Sequence, residues 1–267
     1  LYRDCRKVLK YQRVSNIYKY ILGEYADKAG YSMDLDSRTD TRLIGFYSPC
    51  GGAGKTTLSL ALACRLRALG NRVLFLSLEQ FDSSPVVQEP GEEGITALVE
   101  AVNDEKINFR MKLTAVARHG LENVDCLTGF RRLVDYEAVT GDEISRVLQA
   151  LKKDSDYQYI VVDMESNLDA VNREAFRLAD QIVLVEKPGE TANHKMKTFL
   201  EQAAVQEQKE KMLLIRNFAE NGSAYLKGAE LPVFGVVHHY GNLSLKNVIQ
   251  TVNSSGEYDA DQLLGRL

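Results

Sequence analysis

The chain has 267 residues and a formal net charge of −4 at pH 7, with 45% hydrophobic and 26% charged residues. This length allows one large domain with a substantial core, and the composition is ordinary for a soluble globular protein. The slightly acidic balance argues against a surface that coats nucleic acid over its whole extent. No apolar run approaches the roughly 18 residues that a membrane-spanning helix needs, and no secretory signal is visible. We therefore expect no direct membrane insertion.

Residues 1–40 precede the first strand-like run. Basic and apolar residues alternate over 1–25, which predicts an amphipathic helix, and 26–40 has the composition of a connecting loop. Packing of this helix on a neighbour is preferred over contact with a membrane or with DNA. Because the chain begins with Leu1 instead of Met, we expect a fragment with a further domain upstream. The predicted division is 1–40 as helix and linker, and 41–267 as one domain.

From residue 41 onward, strand-like and helix-like runs alternate. The predicted strands are 43–47, 73–78, 124–127, 157–164, 181–186, 211–217 and 232–239, and the predicted helices are 55–69, 94–103, 109–118, 140–152, 171–178, 190–208 and 245–252. The strands are almost uniformly apolar, which is typical of strands buried on both faces of a parallel sheet. The predicted fold class is therefore α/β: a doubly wound, mostly parallel sheet with helices on both faces. A ligand would bind at the carboxyl ends of the strands.

The connection between the first strand and the first helix is rich in glycine. It reads Pro49-Cys50-Gly51-Gly52-Ala53-Gly54-Lys55-Thr56-Thr57. Glycines let backbone N–H groups converge on an anion, the helix N-terminus adds a partial positive charge, and Lys55 adds a full one. The hydroxyl of Thr56 stands where a phosphate-bound Mg²⁺ needs an oxygen ligand. The order of strand, glycine-rich turn, Gly-Lys-Thr and helix thus predicts a phosphate-binding loop, with a nucleoside triphosphate as ligand.

A carboxylate follows the apolar run Tyr159-Ile160-Val161-Val162. In proteins with a phosphate-binding loop, an aspartate at the end of such a strand holds Mg²⁺, usually through a water. Because the loop lies upstream, we interpret Asp163 as this aspartate in preference to a turn or capping residue. Thr56 and Asp163 are therefore the predicted metal-binding residues, and Lys55 and Asp163 are predicted to be catalytic.

The four cysteines, at positions 5, 50, 64 and 126, lack the spacing of metal ligands. Cys64 lies in a helical pattern and Cys126 in an apolar segment, so we expect buried free thiols. A reducing, cytoplasmic compartment fits this usage of cysteine.

The doubled Gly51-Gly52 and the pair Thr56-Thr57 resemble the deviant Walker A loop of the ParA/MinD ATPases, which are P-loop NTPases of the SIMIBI class. In that family the loop reads Lys-Gly-Gly-x-Gly-Lys-Thr-Thr, and its first lysine reaches the partner's nucleotide across a dimer interface. Cys50 stands at that position here. The resemblance implies ATP and Mg²⁺ as ligands and a homodimer as the assembly. It also implies that the nucleotide is bound by the loop residues Gly51, Gly52, Ala53, Gly54, Lys55, Thr56 and Thr57.

Two further site residues follow from the same resemblance. Relatives have Asp-x-Asp after the second strand, and the second aspartate positions the attacking water; Ser77 and Glu79 stand at these places. Glu79 is therefore a predicted catalytic residue, with Asp82 as a weaker candidate, and a solvated glutamate at a strand end remains the alternative. Relatives also have an asparagine that contacts adenine where Asn217 stands. The alternative there is an asparagine at a strand-to-loop boundary.

The resemblance is incomplete at two other places. After the strand-end aspartate, relatives continue with x-Pro or x-Ala, whereas this chain has Met164-Glu165-Ser166, so Glu165 and Ser166 would lie near the γ-phosphate. After the last strand, relatives often have Pro-Asp or Pro-Glu. This chain has His238-His239-Tyr240 instead, which predicts a different base pocket.

Within the family, the altered loop and the non-basic chain are most like the TadZ/CpaE branch. This branch implies a protein that assists Flp/Tad pilus assembly or secretion at a cell pole, often with an atypical receiver domain ahead of the ATPase. We predict an ATP-binding localisation factor with weak ATPase activity, because Cys50 and Glu79 both depart from the family pattern. Its partners would be pilus or secretion assembly proteins.

Three alternative functions remain open. A chromosome or plasmid partitioning ATPase would bind DNA nonspecifically with ATP and needs a basic patch; the acidic total argues against DNA as a partner. A membrane switch like MinD needs an amphipathic tail, whereas residues 253–261 are acidic. A metabolic enzyme with a phosphate-binding loop would need a substrate pocket, which the sequence does not reveal.

Overall fold

The computed structural model describes residues 21, 41–83, 93–241 and 243–257. The predicted N-terminal helix and linker, 1–40, lie outside these ranges except for Ile21. The other ranges form one eight-stranded sheet with helices on both of its faces. Among the helices in these ranges, none combines the length and the hydropathy that a bilayer-spanning segment needs.

The sheet is parallel except at one edge. Its strands are β1 (Arg42–Tyr47), β2 (Val73–Ser77), β3 (Arg118–His119), β4 (Asp125–Leu127), β5 (Tyr159–Asp163), β6 (Gln181–Glu186), β7 (Met212–Ala219) and β8 (Val233–His238). They lie in the order β3-β4-β2-β5-β1-β6-β7-β8. In the described ranges the edge pair β3–β4 is antiparallel, and the other neighbouring strands are parallel. This doubly wound, mostly parallel sheet confirms the predicted fold class.

The helices cover both faces because alternate residues of each strand point to opposite sides of the sheet. They are α1 (Lys55–Ala68), α2 (Thr96–Asn103), α3 (Phe109–Val116), α4 (Leu133–Ala138), α5 (Gly141–Asp154), α6 (Ala170–Leu178), α7 (Glu190–Leu200), α8 (Ala203–Gln206) and α9 (Leu245–Ser255). In β1, Leu43 and Tyr47 belong to the hydrophobic cluster under α2 to α8, whereas Ile44 and Phe46 belong to the cluster under α1 and α9. Each buried aliphatic side chain contributes about 1.5–3 kcal/mol.

Local signals in the sequence set where several helices begin. Thr140 accepts a hydrogen bond from the N–H of Glu143 at 3.2 Å, and the Glu143 carboxylate accepts one from the N–H of Thr140 at 2.8 Å, which forms a capping box at α5. Asp169 caps α6 by accepting from the N–H of Asn172 at 2.9 Å. Helix α1 differs, because it begins after Gly54, which has no side chain to cap it. Its first N–H groups therefore remain available to a ligand.

The predicted helix 190–208 is interrupted, so that prediction is wrong in part. α7 ends at Leu200 and α8 begins at Ala203. In a continuous helix, Val205 would lie about 140° around the axis from Leu200, yet both side chains are buried in one cluster. The extended backbone of Gln202 (ψ 131°) turns Val205 back toward that cluster.

Short elements also depart from the predicted pattern. The predicted helix 109–118 ends at Val116, because Arg118 pairs with Cys126 in the antiparallel edge. Strand β3 has two residues and α4 has six, which is too short for a hydrophobic period to indicate them.

Strand β1 lies where the strand order reverses. β2, β3, β4 and β5 lie on one side of it, and β6, β7 and β8 lie on the other. In open parallel sheets a ligand binds at the carboxyl ends of the strands at this point. Phe46 of β1 and Ser77 of β2 are both in register with Asp163 of β5. The ends of these three strands therefore meet at one edge, and this edge positions the candidate site.

Candidate functional site

The connection from β1 to α1 requires glycine at two positions. Gly52 has φ +64° and Gly54 has φ +90°, both in the left-handed region that other residues resist. A Cβ at Gly54 would also lie 2.2 Å from Nδ2 of Asn217. Gly51 and Gly52 are exposed, whereas Ala53 is buried. The loop therefore presents the backbone of its two leading glycines to solvent in front of α1.

The ammonium of Lys55 is nearly buried beside this loop. Lys55 is the first residue of α1 and is 6% exposed. Its Nζ donates a hydrogen bond to Oγ of Ser166, 2.9 Å away. The hydroxyl is a neutral acceptor, and the nearby carboxylates of Glu79 and Asp163 interact with the charge electrostatically. Lys55 thus adds a full positive charge to a helix N-terminus, where backbone N–H groups already favour an anion such as phosphate.

Thr56 and Asp163 together have the chemistry of a magnesium site. Oγ1 of Thr56 donates a hydrogen bond to Oδ2 of Asp163 at 2.5 Å. Asp163 is fully buried, and its Oδ1 has no hydrogen-bond partner among the described residues. Burial raises the pKa of Asp163 well above its ordinary value, and the negative charge of Glu79 raises it further. An unsatisfied buried carboxylate oxygen beside a hydroxyl fits Mg²⁺, which prefers oxygen ligands.

Glu79 lies near Lys55, just after the end of β2. It is half-buried, and its Oε2 accepts a hydrogen bond from Oγ of Ser83 at 3.1 Å. Burial raises the pKa of Glu79; Lys55 and Ser83 oppose this shift, and the like charges of Glu165 and Asp82 add to it. A carboxylate with a raised pKa beside the glycine-rich loop is suited to accept a proton from water.

The two remaining acidic candidates are held by backbone N–H groups. Asp82 accepts a hydrogen bond from the N–H of Gly129 at 2.8 Å, which ties it to the segment after β4. Glu165 accepts from the N–H of Gln80 at 3.3 Å and from the N–H of Ser166 at 2.9 Å. Glu165 therefore joins the ends of β2 and β5 and positions Ser166, the hydroxyl that Lys55 contacts.

Asn217 lies under the loop. It is 4% exposed, and its Nδ2 donates a hydrogen bond to the carbonyl oxygen of Ala53 at 2.8 Å. The backbone oxygen of Asn217 in turn accepts from the hydroxyl of Tyr225 at 2.9 Å. The visible role of Asn217 is therefore to hold the glycine-rich loop, a role that sequence reasoning missed. Its predicted contact with adenine remains a prediction.

Position 50, where relatives have the first lysine, faces inward. Cys50 is 6% exposed, and its Sγ lies 3.9 Å from the carbonyl oxygen of Ala192 in α7. Cys64 and Cys126 are buried free thiols, as predicted. Burial raises the pKa of the Cys64 thiol to about 12 and raises that of Cys126 as well. These two thiols are therefore protonated at neutral pH and act as small apolar groups.

The burial of Asp163 predicts how stability depends on pH. Because its folded-state pKa is raised, its contribution to stability is present at low pH and is lost as pH rises above the ordinary value of 3.8. The variant Asp163→Asn has no carboxyl group to titrate and therefore does not lose this stability. Without Mg²⁺, we expect its free energy of unfolding minus that of wild type to increase between pH about 4 and about 7.

Urea unfolding at several pH values measures this difference. Asp154→Asn, at the exposed end of α5, is the matched control and should leave the difference constant. A constant difference for Asp163→Asn would contradict the prediction.

Comparison with known proteins agrees with this geometry. A family model described as an AAA domain matches residues 41–215, more than half of the chain. The comparison with curated proteins found no match. A ParA family ATPase from Chlorobium tepidum has a similar structure, with a TM-score of 0.67 and 16% sequence identity over 85% of this chain and 98% of that one.

Two other similar structures contain nucleotides. The septum site-determining protein MinD of Pyrococcus horikoshii, complexed with Mg-ADP, gives a TM-score of 0.53 at 19% identity, over 81% of this chain and 98% of that one. Cobyrinic acid a,c-diamide synthase of Mycobacterium smegmatis, with a bound ATP analog and magnesium, gives 0.58 at 15% identity, over 82% and 98%. These likenesses establish the fold, and the family model establishes membership. The chain belongs to the AAA-domain family of that model and has the fold of the ParA/MinD-type P-loop ATPases.

Proposed function

We propose that the chain binds ATP together with Mg²⁺ at the edge formed by β1, β2 and β5. The observation that carries this proposal is the nearly buried ammonium of Lys55 at the start of α1, next to Thr56 and the unsatisfied Oδ1 of Asp163. These groups supply positive charge for phosphate and oxygen ligands for the metal. The similar structures that contain Mg-ADP, or an ATP analog with magnesium, support the same ligands.

In this proposal, different residues would bind the phosphates, hold the metal and support the loop. The loop Gly51–Thr57 would surround the phosphates with backbone N–H groups, and Lys55 would exchange the hydroxyl of Ser166 for a phosphate oxygen. Thr56 and Asp163 would hold Mg²⁺, which when bound neutralises charge on the phosphate oxygens. Asn217 would keep the loop in this shape through the carbonyl of Ala53.

Hydrolysis in this proposal is slow. Glu79 would orient the attacking water and accept its proton, helped by its raised pKa. However, Glu79 is one methylene longer than the aspartate that relatives have there, and it is also held by Ser83. A displacement of about 1 Å at such a position slows an enzyme roughly 100-fold. Cys50, turned toward α7, supplies no charge to the phosphates.

In the cell, we propose that the ATP-bound chain acts as a localisation factor. It would form a homodimer in the cytoplasm and place pilus or secretion assembly proteins, in the manner of the TadZ/CpaE branch, at a cell pole. The altered positions 50 and 79 and the net charge of −4 support this role. A second candidate, a partitioning ATPase with ATP-dependent DNA binding, is supported by the likeness to a ParA family ATPase.

Calorimetric titration with ATP tests the binding proposal. We expect saturable binding in Mg²⁺ that weakens when EDTA removes the metal, and phosphate release slower than about 1 s⁻¹, the low end of ordinary turnover. No saturable ATP binding would refute the proposal. Phosphate release stimulated by DNA, with a DNA affinity that falls steeply with salt, would favour partitioning over localisation.

A further inference from the structure

Strand β6 ends beside the phosphate-binding loop and brings a lysine there. Leu184 of β6 is in register with Tyr47 of β1, and Lys187 and Cys50 each lie three residues beyond these partners. Both strands end at this edge of the sheet, and Lys187 is the first residue after β6. Nζ of Lys187 donates a hydrogen bond to the carbonyl oxygen of Gly51 at 2.9 Å.

Within the part of the chain that the structure describes, this contact gives the charge of Lys187 no counterion. The carbonyl is a neutral acceptor, and none of the ion pairs within 41–83, 93–241 and 243–257 includes Lys187. A Cβ added at Gly52 would lie 4.0 Å from Nζ of Lys187, and a Cβ added at Gly51 would have no atom within 4 Å. The ammonium thus lies beside the two exposed glycines that lead the loop, and no other atom crowds a Cβ position at Gly51.

The two lysines approach the loop from different sides. Lys55 contacts Ser166, which follows β5, whereas Lys187 follows β6, and β5 and β6 flank β1. The two ammonium groups therefore lie toward different neighbours of β1, and an anion bound by both would bridge them. Cys50 does not contribute to this charge, because it is buried against α7.

We propose that Lys187 is a phosphate-binding residue of this site. It exchanges the carbonyl of Gly51 for the β- or γ-phosphate of a nucleoside triphosphate bound to the same chain. The proposal rests on the proposed function. It adds a second positive charge to the phosphate site, and the end of β6 supplies this charge in place of position 50. A lysine on a strand end can reach phosphate as a flexible point charge, so the loop itself need not carry it.

Nucleotides with different numbers of phosphates test the proposal. ATP, ADP and AMP are titrated calorimetrically into wild type, Lys187→Ala, Lys187→Arg and Lys195→Ala, the last a control at an exposed position of α7. We expect Lys187→Ala to weaken ATP binding about tenfold or more, ADP binding less, and AMP binding least. Lys187→Arg should retain most of the affinity for ATP, and Lys195→Ala should match wild type.

Wild-type affinity for ATP in Lys187→Ala would overturn the proposal. Equal weakening of all three nucleotides, together with a lower melting temperature, would also overturn it, because Lys187 would then only hold the loop through Gly51. Tripolyphosphate separates this proposal from the proposed function. If wild type binds tripolyphosphate in a Lys187-dependent way but does not bind ATP, the phosphate site stands and the ATP-binding function is wrong. If wild type binds neither, both are overturned.

Discussion

Lys55→Ala is expected to weaken ATP binding at least about 100-fold. The variant removes a nearly buried ammonium from the start of α1, where its hydrogen bond would pass from Ser166 to a phosphate oxygen. Charge-assisted hydrogen bonds are about twice as strong as neutral ones, and Coulomb attraction grows as water is excluded.

Calorimetry with ATP and Mg²⁺ measures the effect of Lys55→Ala, and a melting curve checks the fold. We expect the melting temperature to be maintained, since alanine has the highest helix preference and replaces the first residue of α1. Lys197→Ala, on the exposed face of α7, is the control and should bind like wild type. If Lys55→Ala bound ATP within threefold of wild type, the phosphate-binding role of the loop would be wrong.

Gly54→Ala is expected to lower the free energy of unfolding by about 2–5 kcal/mol, much more than Gly70→Ala. Both glycines have φ +90°, and they flank the two ends of α1. A Cβ would therefore strain the backbone to the same degree at both positions. The surroundings differ. A Cβ at Gly54 would lie 2.2 Å from Nδ2 of Asn217, whereas a Cβ at Gly70 would have no atom within 4 Å.

Gly70→Ala should therefore cost only the strain of the left-handed region, about 1–2 kcal/mol. The Gly54 variant should also bind ATP poorly, because Asn217 cannot move without leaving the carbonyl of Ala53. Urea unfolding of both variants, and of Gly54→Ala combined with Asn217→Ala, measures the difference. We expect the double variant to regain part of the free energy of unfolding that Gly54→Ala loses. Equal losses in the two single variants would show that contact with Asn217 is unimportant.

The sequence was sufficient for the parts of the site that depend on neighbours along the chain. The glycines before Lys55 and the apolar run before Asp163 are local patterns, and each has a local physical cause. The sheet then had to bring the ends of β1, β2 and β5 together, because carboxyl ends of parallel strands meet at one edge. Glu79 lies near Lys55 for this reason, as its electrostatic interactions show.

Contacts between distant strands were not predictable in the same way. The hydrogen bond from Asn217 to Ala53 joins residues 164 positions apart, and it depends on β7 lying two strands from β1. No sequence pattern indicated a role for Lys187, since a single lysine after a strand is common in proteins of any function. The break between α7 and α8 depends on the burial of Val205, a property of the packed core that local helix preference does not contain.

Asn217 holds the loop in shape, although it lies beyond the end of the family-model match. The domain boundary therefore depends on whether it is defined by that match or by packing. The match to the family model ends at residue 215, before Asn217, strand β8 and helix α9. Yet Ile249 and Val252 of α9 lie in the same cluster as α1. The stretch that the family model matches is thus shorter than the hydrophobic core that packs around α1. A fragment trimmed to the former would keep every residue of the glycine-rich loop and lose what holds that loop in shape.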